Sequence, residues 1–267
     1  MSPQPRAAMT SGPELLAEFN ECWQSWRELG AGLDEVDWAQ PSLCPGWSTR
    51  DALVHLTSAE IGFAGWTPSP DPPFEQIGAE ARRLRGASGA EVLAEFEAVT
   101  ARRAEQIGNF SEADLDAIGW SPAGSGPHRR YLEIRVFDTW AHEQDVRVAL
   151  GRAGHLSGAG PRRSLDEAHL AFGYIVGKKA ALPNGSSVTV RVHGAQQREL
   201  HAQIVGRAQV VDQLHDPACT LDADFLTFML LACGRIDPAG PIEQGLVRLG
   251  GDMALATRVA NNLAFTI

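Results

Sequence analysis

The chain has no apolar run approaching the roughly 18 residues needed to cross a membrane, and its opening MSPQPRAAMTSGPE has no apolar stretch of signal-peptide length. These two absences point to a cytosolic protein with no membrane partner and a disordered N-terminus. Cysteine is scarce: Cys22, Cys44, Cys219 and Cys233 form no C-x-x-C pair. Without an export segment, free thiols are expected in place of disulfides. Positive charge is short as well, with 23 Lys and Arg against 33 Asp and Glu and a formal net charge of −10. That balance argues against a surface built to neutralise phosphates, despite the basic clusters at 82–85 and 128–130, so no nucleic-acid partner is expected. No internal repeat or low-complexity tract is visible.

What is present is an ordinary globular composition, 44% hydrophobic and 21% charged over 267 residues, enough for one large domain or two modest ones. Residues 13–29 place Leu15, Leu16, Phe19, Cys22, Trp23, Trp26 and Leu29 at helical spacing. Ser48 with Asp51, and Ser88 with Glu91, are capping boxes that open a second helix and a third. Four prolines between Trp66 and Phe74 end the second. A fourth helix is expected from about Arg129, with Leu132, Val136, Phe137, Trp140 and Val148 as its apolar residues, and a fifth over 164–179. Then the period changes. SVTVRVHG, RELHAQIVG and RAQVVDQL alternate as three strands of an antiparallel meander, with ACTLDAD a possible fourth, before helices in DFLTFMLLACGR and GDMALATRVANNL. The fold class is therefore α+β, a four-helix bundle over residues 10–160 and a small α/β domain over 161–267. The boundary is expected in GRAGHLSGAGP, or else at Pro183-Asn184-Gly185.

Chemistry concentrates on three residues. Asp138 and His142 are four apart and leave one helix face a turn apart, and His55 lies about two turns inside the second helix. Two imidazoles and a carboxylate suit zinc, nickel or iron(II), and three protein ligands leave positions open for water or substrate. The same D-x-x-x-H spacing also occurs as an ordinary helix-supporting pair. Glu143, Gln144 and Asp145 are candidates to orient a ligand imidazole, and Glu143 would be the base if the site activated water as a hydrolase does. Cys44 lies near the site, but a lone cysteine is more often a buried small hydrophobe. For His128, His155, His169, His193, His201 and His215, exposure or ordinary hydrogen bonding is the expectation.

The stretches LCPGWSTRDALVHL, RVFDTWAHEQDVRVALGRAGHL, LDADFLTFMLLACGR and GDMALATRVANNLAFTI resemble the mycothiol-dependent maleylpyruvate isomerase family. The resemblance implies a DinB-like bundle joined to a sterol-carrier-protein-like α/β domain. It implies metal ligands at His55, Asp138 and His142, with zinc and mycothiol as cofactors. The partners it implies are a small-molecule thiol and a small electrophilic substrate, used in isomerisation or thiol transfer. The isomerase has a glutamate where this chain has the shorter Asp138, a departure that bears on the isomerase activity more than on the metal. The family's use of arginine for anionic ligands points to Arg82 or Arg83 and to Arg235, each of which also reads as a solvated surface arginine. A non-catalytic metal- or ligand-binding protein of the same fold is the alternative. Monomer and homodimer are both compatible with the sequence.

Overall fold

The computed structural model describes residues 9–266; the disordered start expected from the sequence lies outside the described residues. The chain divides into two compact units, one ending at Gly154 and the other beginning at His155. No helix among the described residues is long and apolar enough to cross a membrane.

In the first unit, α1 (Gly12–Ala31), α2 (Glu35–Ala39), α3 (Thr49–Phe63), α4 (Phe74–Leu84), α5 (Gly89–Gly108) and α6 (Glu112–Asp116) follow in order. A hairpin of β1 (Ile118–Gly119) and β2 (Gly126–Pro127) then leads into α7 (His128–Ala149). Capping boxes open α1, α3 and α5 at Ser11 with Glu14, Ser48 with Asp51, and Ser88 with Glu91. Each box satisfies two amides that a helix start would otherwise leave unpaired. Helix α1 packs on α5 and α7, and α3 packs on the same two, which closes a four-helix bundle. Leu15, Phe19, Cys22, Trp23, Trp26 and Leu29 form the buried stripe of α1. Trp26 Nε1 donates to the Thr139 carbonyl at 2.9 Å, tying α1 to the part of α7 between Asp138 and His142.

Two features depart from the sequence reading. The proline segment does end α3, but it is followed by α4, a mostly polar helix in which only Leu84 is buried. It docks where Gly62 of α3 makes room, since a Cβ there would sit 2.3 Å from Ile77 Cγ1. His128 is neither exposed nor hydrogen-bonded. It is 2% exposed, both ring nitrogens lack a partner among the described residues, and Trp66, Phe110 and Tyr131 surround it at ring distances of 5.7, 5.2 and 5.5 Å.

In the second unit, α8 (Ala159–Tyr174) runs into a π-helical turn at Ile175–Lys179, so the expected fifth helix begins earlier and ends irregularly. Then come β3 (Ser187–His193), β4 (Arg198–Val205), β5 (Arg207–Val211), β6 (Cys219–Asp224), α9 (Phe225–Ala232), α10 (Ala239–Glu243), β7 (Val247–Gly251) and α11 (Met253–Ala260). The sheet order is β5-β4-β3-β6-β7. The meander β3-β4-β5 is antiparallel as expected, while β6 joins β3 in parallel, Val190 opposite Leu221, and β7 closes the far edge antiparallel to β6. Strand β7 escapes a hydrophobic reading because it ends in two glycines. Gly251 has φ +71° and a Cβ there would meet the Ala218 carbonyl oxygen at 2.4 Å.

The His128 cage makes the bundle acid-sensitive. Burial, and after it the charge of Arg103, pushes the imidazole down from 6.5 to about 4. The unfolded chain therefore binds a proton that the folded chain refuses between those values. Stability from this group is complete above pH 6.5 and falls as the pH drops toward 4, by up to about 3 kcal/mol. Urea unfolding of His128→Phe, which leaves no nitrogen to protonate, is expected to show a clearly smaller loss between pH 7 and pH 4.5 than the wild-type protein; equal losses would refute the cage as the cause.

Candidate metal centre

Helix α3 presents His55 toward α7, and α7 returns Asp138 and His142 from adjacent turns of one face. His55 Nε2 lies 3.2 Å from Asp138 Oδ2, and His142 Nε2 lies 3.6 Å from Asp138 Oδ1. The three residues offer ligand atoms all within 4.8 Å of one another, a spacing that one divalent ion bridging two imidazoles and a carboxylate can draw together. The donor set fits such an ion. The side chains of His55 and Asp138 remain 34% and 29% exposed, against 9% for His142, so the cluster opens toward solvent on the His55 and Asp138 side.

The electrostatics favour a neutral His55 and an ionised Asp138. Burial, only partly offset by the Asp138 charge, lowers the His55 pKa, which keeps its lone pair free at neutral pH. At Asp138 burial alone would raise the pKa, but the Arg135 guanidinium, followed by the two histidines, holds the carboxyl well below the usual carboxylate range. His142 Nδ1 lies 3.0 Å from Asp145 Oδ2. An N–H given to that carboxylate leaves Nε2 as the lone-pair nitrogen on the side of Asp138. Of the three residues after His142 weighed as orienting partners, Asp145 makes this contact.

Glu143 faces elsewhere. Its Oε1 accepts from Ser25 Oγ and from Arg147 Nε, each at 2.5 Å, so its carboxylate is committed to α1 and the next turn of α7. That engagement points Oε1 away from the cluster, where a water-activating site would need its base. Gln144 Nε2 donates to the Gly154 carbonyl at 3.4 Å.

A residue the sequence reading did not assign completes the centre. Trp47 stands just before the α3 cap, its ring 5.1 Å from His55 and stacked 5.3 Å from His142, with the two imidazoles edge-on at 4.9 Å. The turn that holds it is fixed at both ends. Leu43 N donates to the Asp145 carbonyl at 3.0 Å, Ser42 N to the Trp47 carbonyl at 2.9 Å and Trp47 N to the Cys44 carbonyl at 3.1 Å. Gly46, at φ +79°, takes the left-handed conformation this turn needs. The signal was in the string LCPGW, whose glycine before a tryptophan marks a turn presenting an aromatic. Cys44 belongs to the same turn, and with His142 and Asp145 it forms a second group of ligand atoms within 4.8 Å. All four cysteines are free thiols.

The arginines fall apart. Arg82 and Arg83 lie exposed on α4; Arg83 pairs with Glu80 at 2.7 Å and Glu95 at 3.3 Å, and neither contacts the three clustered residues. Arg235 lies in the second unit just past α9, where its Nη1 donates to the Cys233 carbonyl at 3.0 Å. The arginine at the cluster is Arg135, whose Nη1 donates to Asp138 Oδ2. Its position three residues before Asp138, one helical turn away on the same face, was the available signal.

Residues 19–147 match the mycothiol maleylpyruvate isomerase N-terminal domain, and residues 184–264 match the SCP-2 sterol transfer family. Uncharacterized proteins from two strains of Mycobacterium tuberculosis are 28% identical over 137 residues, covering 46% of this chain and 51% of each relative. The chain thus spans about half the length of the curated relatives it matches. Among solved structures, a mycothiol-dependent maleylpyruvate isomerase superposes with a TM-score of 0.57 at 15% identity, covering 85% of this chain and 90% of that one. A histidine-to-alanine mutant of such an isomerase gives 0.58 at 15% identity, covering 90% and 93%. At that identity the likeness is one of fold. The chain thus pairs a stretch similar to a mycothiol maleylpyruvate isomerase N-terminal domain with one similar to the SCP-2 sterol transfer family.

Proposed function

We propose that this protein is a divalent-metal enzyme that uses a small thiol, mycothiol, as its nucleophile on a small electrophilic substrate, in isomerisation or thiol transfer. His55, Asp138 and His142 hold the metal in this reading, with zinc as the expected ion. The observation that carries it is the meeting of these residues, from two helices, at a solvent-open cluster with a neutral imidazole and an ionised carboxylate. The domain match and the fold shared with a mycothiol-dependent maleylpyruvate isomerase support the choice of thiol and of reaction.

A divalent ion, when bound, supplies Lewis acidity that favours a thiolate at neutral pH, so no separate base is required. The chain's own residues do the rest. Asp145 fixes the His142 tautomer, and Trp47 lies across both imidazoles and excludes water from that side. Asp138 carries the single negative charge among the three ligands, and Arg135 already meets part of it. Glu143 is committed to Ser25 and Arg147, which disfavours the hydrolase alternative. The arginines considered for substrate contacts, Arg82, Arg83 and Arg235, stay candidates whose role rests on the family resemblance.

Calorimetric titration of mycothiol into zinc-loaded and metal-free protein tests the reading. Binding only in the presence of metal, with proton release, is the expected outcome; binding that ignores metal would overturn it. The His142→Ala variant should lose stoichiometric metal while its far-ultraviolet circular dichroism stays close to wild type. In Asp145→Asn the loss should be smaller, about 10- to 100-fold in zinc affinity by chelator competition, because the ligand remains and only its orientation is freed.

A further inference from the structure

Behind the three clustered residues the bundle buries a line of charges that the proposed chemistry does not itself require. Arg135 is 6% exposed, and Glu60 and Arg103 are 1% each. Arg135 gives Nη1 to Asp138 Oδ2 and Nη2 to Glu60 Oε1 at 3.1 Å. The other oxygen of Glu60 accepts from Arg103 Nε at 2.9 Å. Arg103 Nη1 ends the line on the Phe63 carbonyl at 3.2 Å and Gln106 Oε1 at 2.6 Å. The sequence of charges is Asp138 negative, Arg135 positive, Glu60 negative, Arg103 positive, drawn in turn from α7, α7, α3 and α5.

Buried ion pairs are often no more stabilising than well-packed apolar residues of similar volume. The line is also incompletely satisfied, because Arg135 Nε is buried without a partner among the described residues. An arrangement that stabilises so little yet ends on a carboxylate facing two imidazoles is explained by what it does to that carboxylate.

We propose that Glu60 and Arg135 are positioning residues for Asp138, with Glu60 dividing the guanidinium so that only one end reaches the carboxylate. This rests on the metal reading above. The division has two effects. It fixes the rotamer of a short aspartate that has one methylene fewer to be caught by its surroundings, pointing it at His55 and His142. It also limits the competition between Arg135 and an incoming cation, because a guanidinium free of Glu60 would turn both Nη groups onto Asp138 as a two-point pair. Remove the Glu60 charge, and Arg135 becomes a fuller counter-ion that a metal must displace.

Cobalt(II) is the probe, since its visible absorption reports the ligand arrangement as well as occupancy. Wild type, Glu60→Gln, Arg135→Lys and a control, Val99→Ala, which opens a cavity in the core of α5 without removing any charge or hydrogen bond of the line, are titrated with cobalt in competition with a chromophoric chelator. The expected result is one cobalt per wild-type chain, a loss of about tenfold or more in affinity for Glu60→Gln with an altered absorption band, and wild-type affinity and band for Val99→Ala. Arg135→Lys keeps a charge but not the fork, so its band should differ from wild type even where it folds fully. Wild-type affinity and spectrum in both Glu60→Gln and Arg135→Lys would overturn the positioning role while leaving the metal reading standing. No cobalt on the wild-type protein would instead remove the metal reading, and this inference with it. A loss in Val99→Ala as large as in Glu60→Gln would reduce the line to general stability and also overturn the proposal.

Discussion

A charge taken out of water must be met by an opposite charge in the same low-dielectric space, and this constraint organises the first unit. Isolated, any one of Glu60, Arg103 or Arg135 would be prohibitively costly in a bundle core. In alternation they neutralise one another. Their pairing dictates that α3, α5 and α7 meet with fixed rotation about their axes, because a helix turned by one residue would swing its charge away from its partner by 100°. Apolar side chains tolerate such slippage far better, being non-directional. The line of ion pairs thus supplies rotational register to a bundle whose stability comes from Leu15, Phe19, Trp23, Trp26 and their neighbours.

That register explains why His55 and the pair Asp138 and His142 meet at all. The two elements are 83 positions apart at His55 and Asp138, and nothing local holds them together. Trp26 reaching the Thr139 carbonyl from α1 and Arg135 reaching Glu60 on α3 bracket the face of α7 that carries Asp138 and His142 from two sides. The site is consequently a product of packing between helices, and each helix contributes only a fragment of it.

Much of this was legible in the sequence, and the failures have physical reasons. Capping boxes at Ser48 and Ser88 are local chemistry, so they located the starts of α3 and α5. The spacing of Asp138 and His142 is a helical period and placed both on one face. By contrast, Glu60 and Arg135 lie 75 positions apart, and a charged residue inside an apolar stripe looks like an exception until its partner is known. His128 read as a polar residue at the mouth of a loop, because the cage of Trp66, Phe110 and Tyr131 is assembled from three separate segments. In the second unit the alternation of β6 was visible, but its parallel seat beside β3 was not, since periodicity carries no strand order. Strand β7 was hidden by Gly250 and Gly251, which its close approach to Thr220 and Ala218 requires.

Asp145 serves two structures with two different parts of itself. Its carboxylate orients His142, and its carbonyl anchors the turn that carries Trp47. The carbonyl belongs to the backbone and survives every substitution, whereas a carboxylate at this reach exists in aspartate alone, glutamate being one methylene longer. Evolution can therefore retune the imidazole through this position while the aromatic cover stays where it is. The reverse is not available: moving the cover means lengthening or shortening the turn itself. Position 145 therefore couples to the imidazole through a side chain that substitution can change, and to the turn carrying Trp47 through a backbone that it cannot.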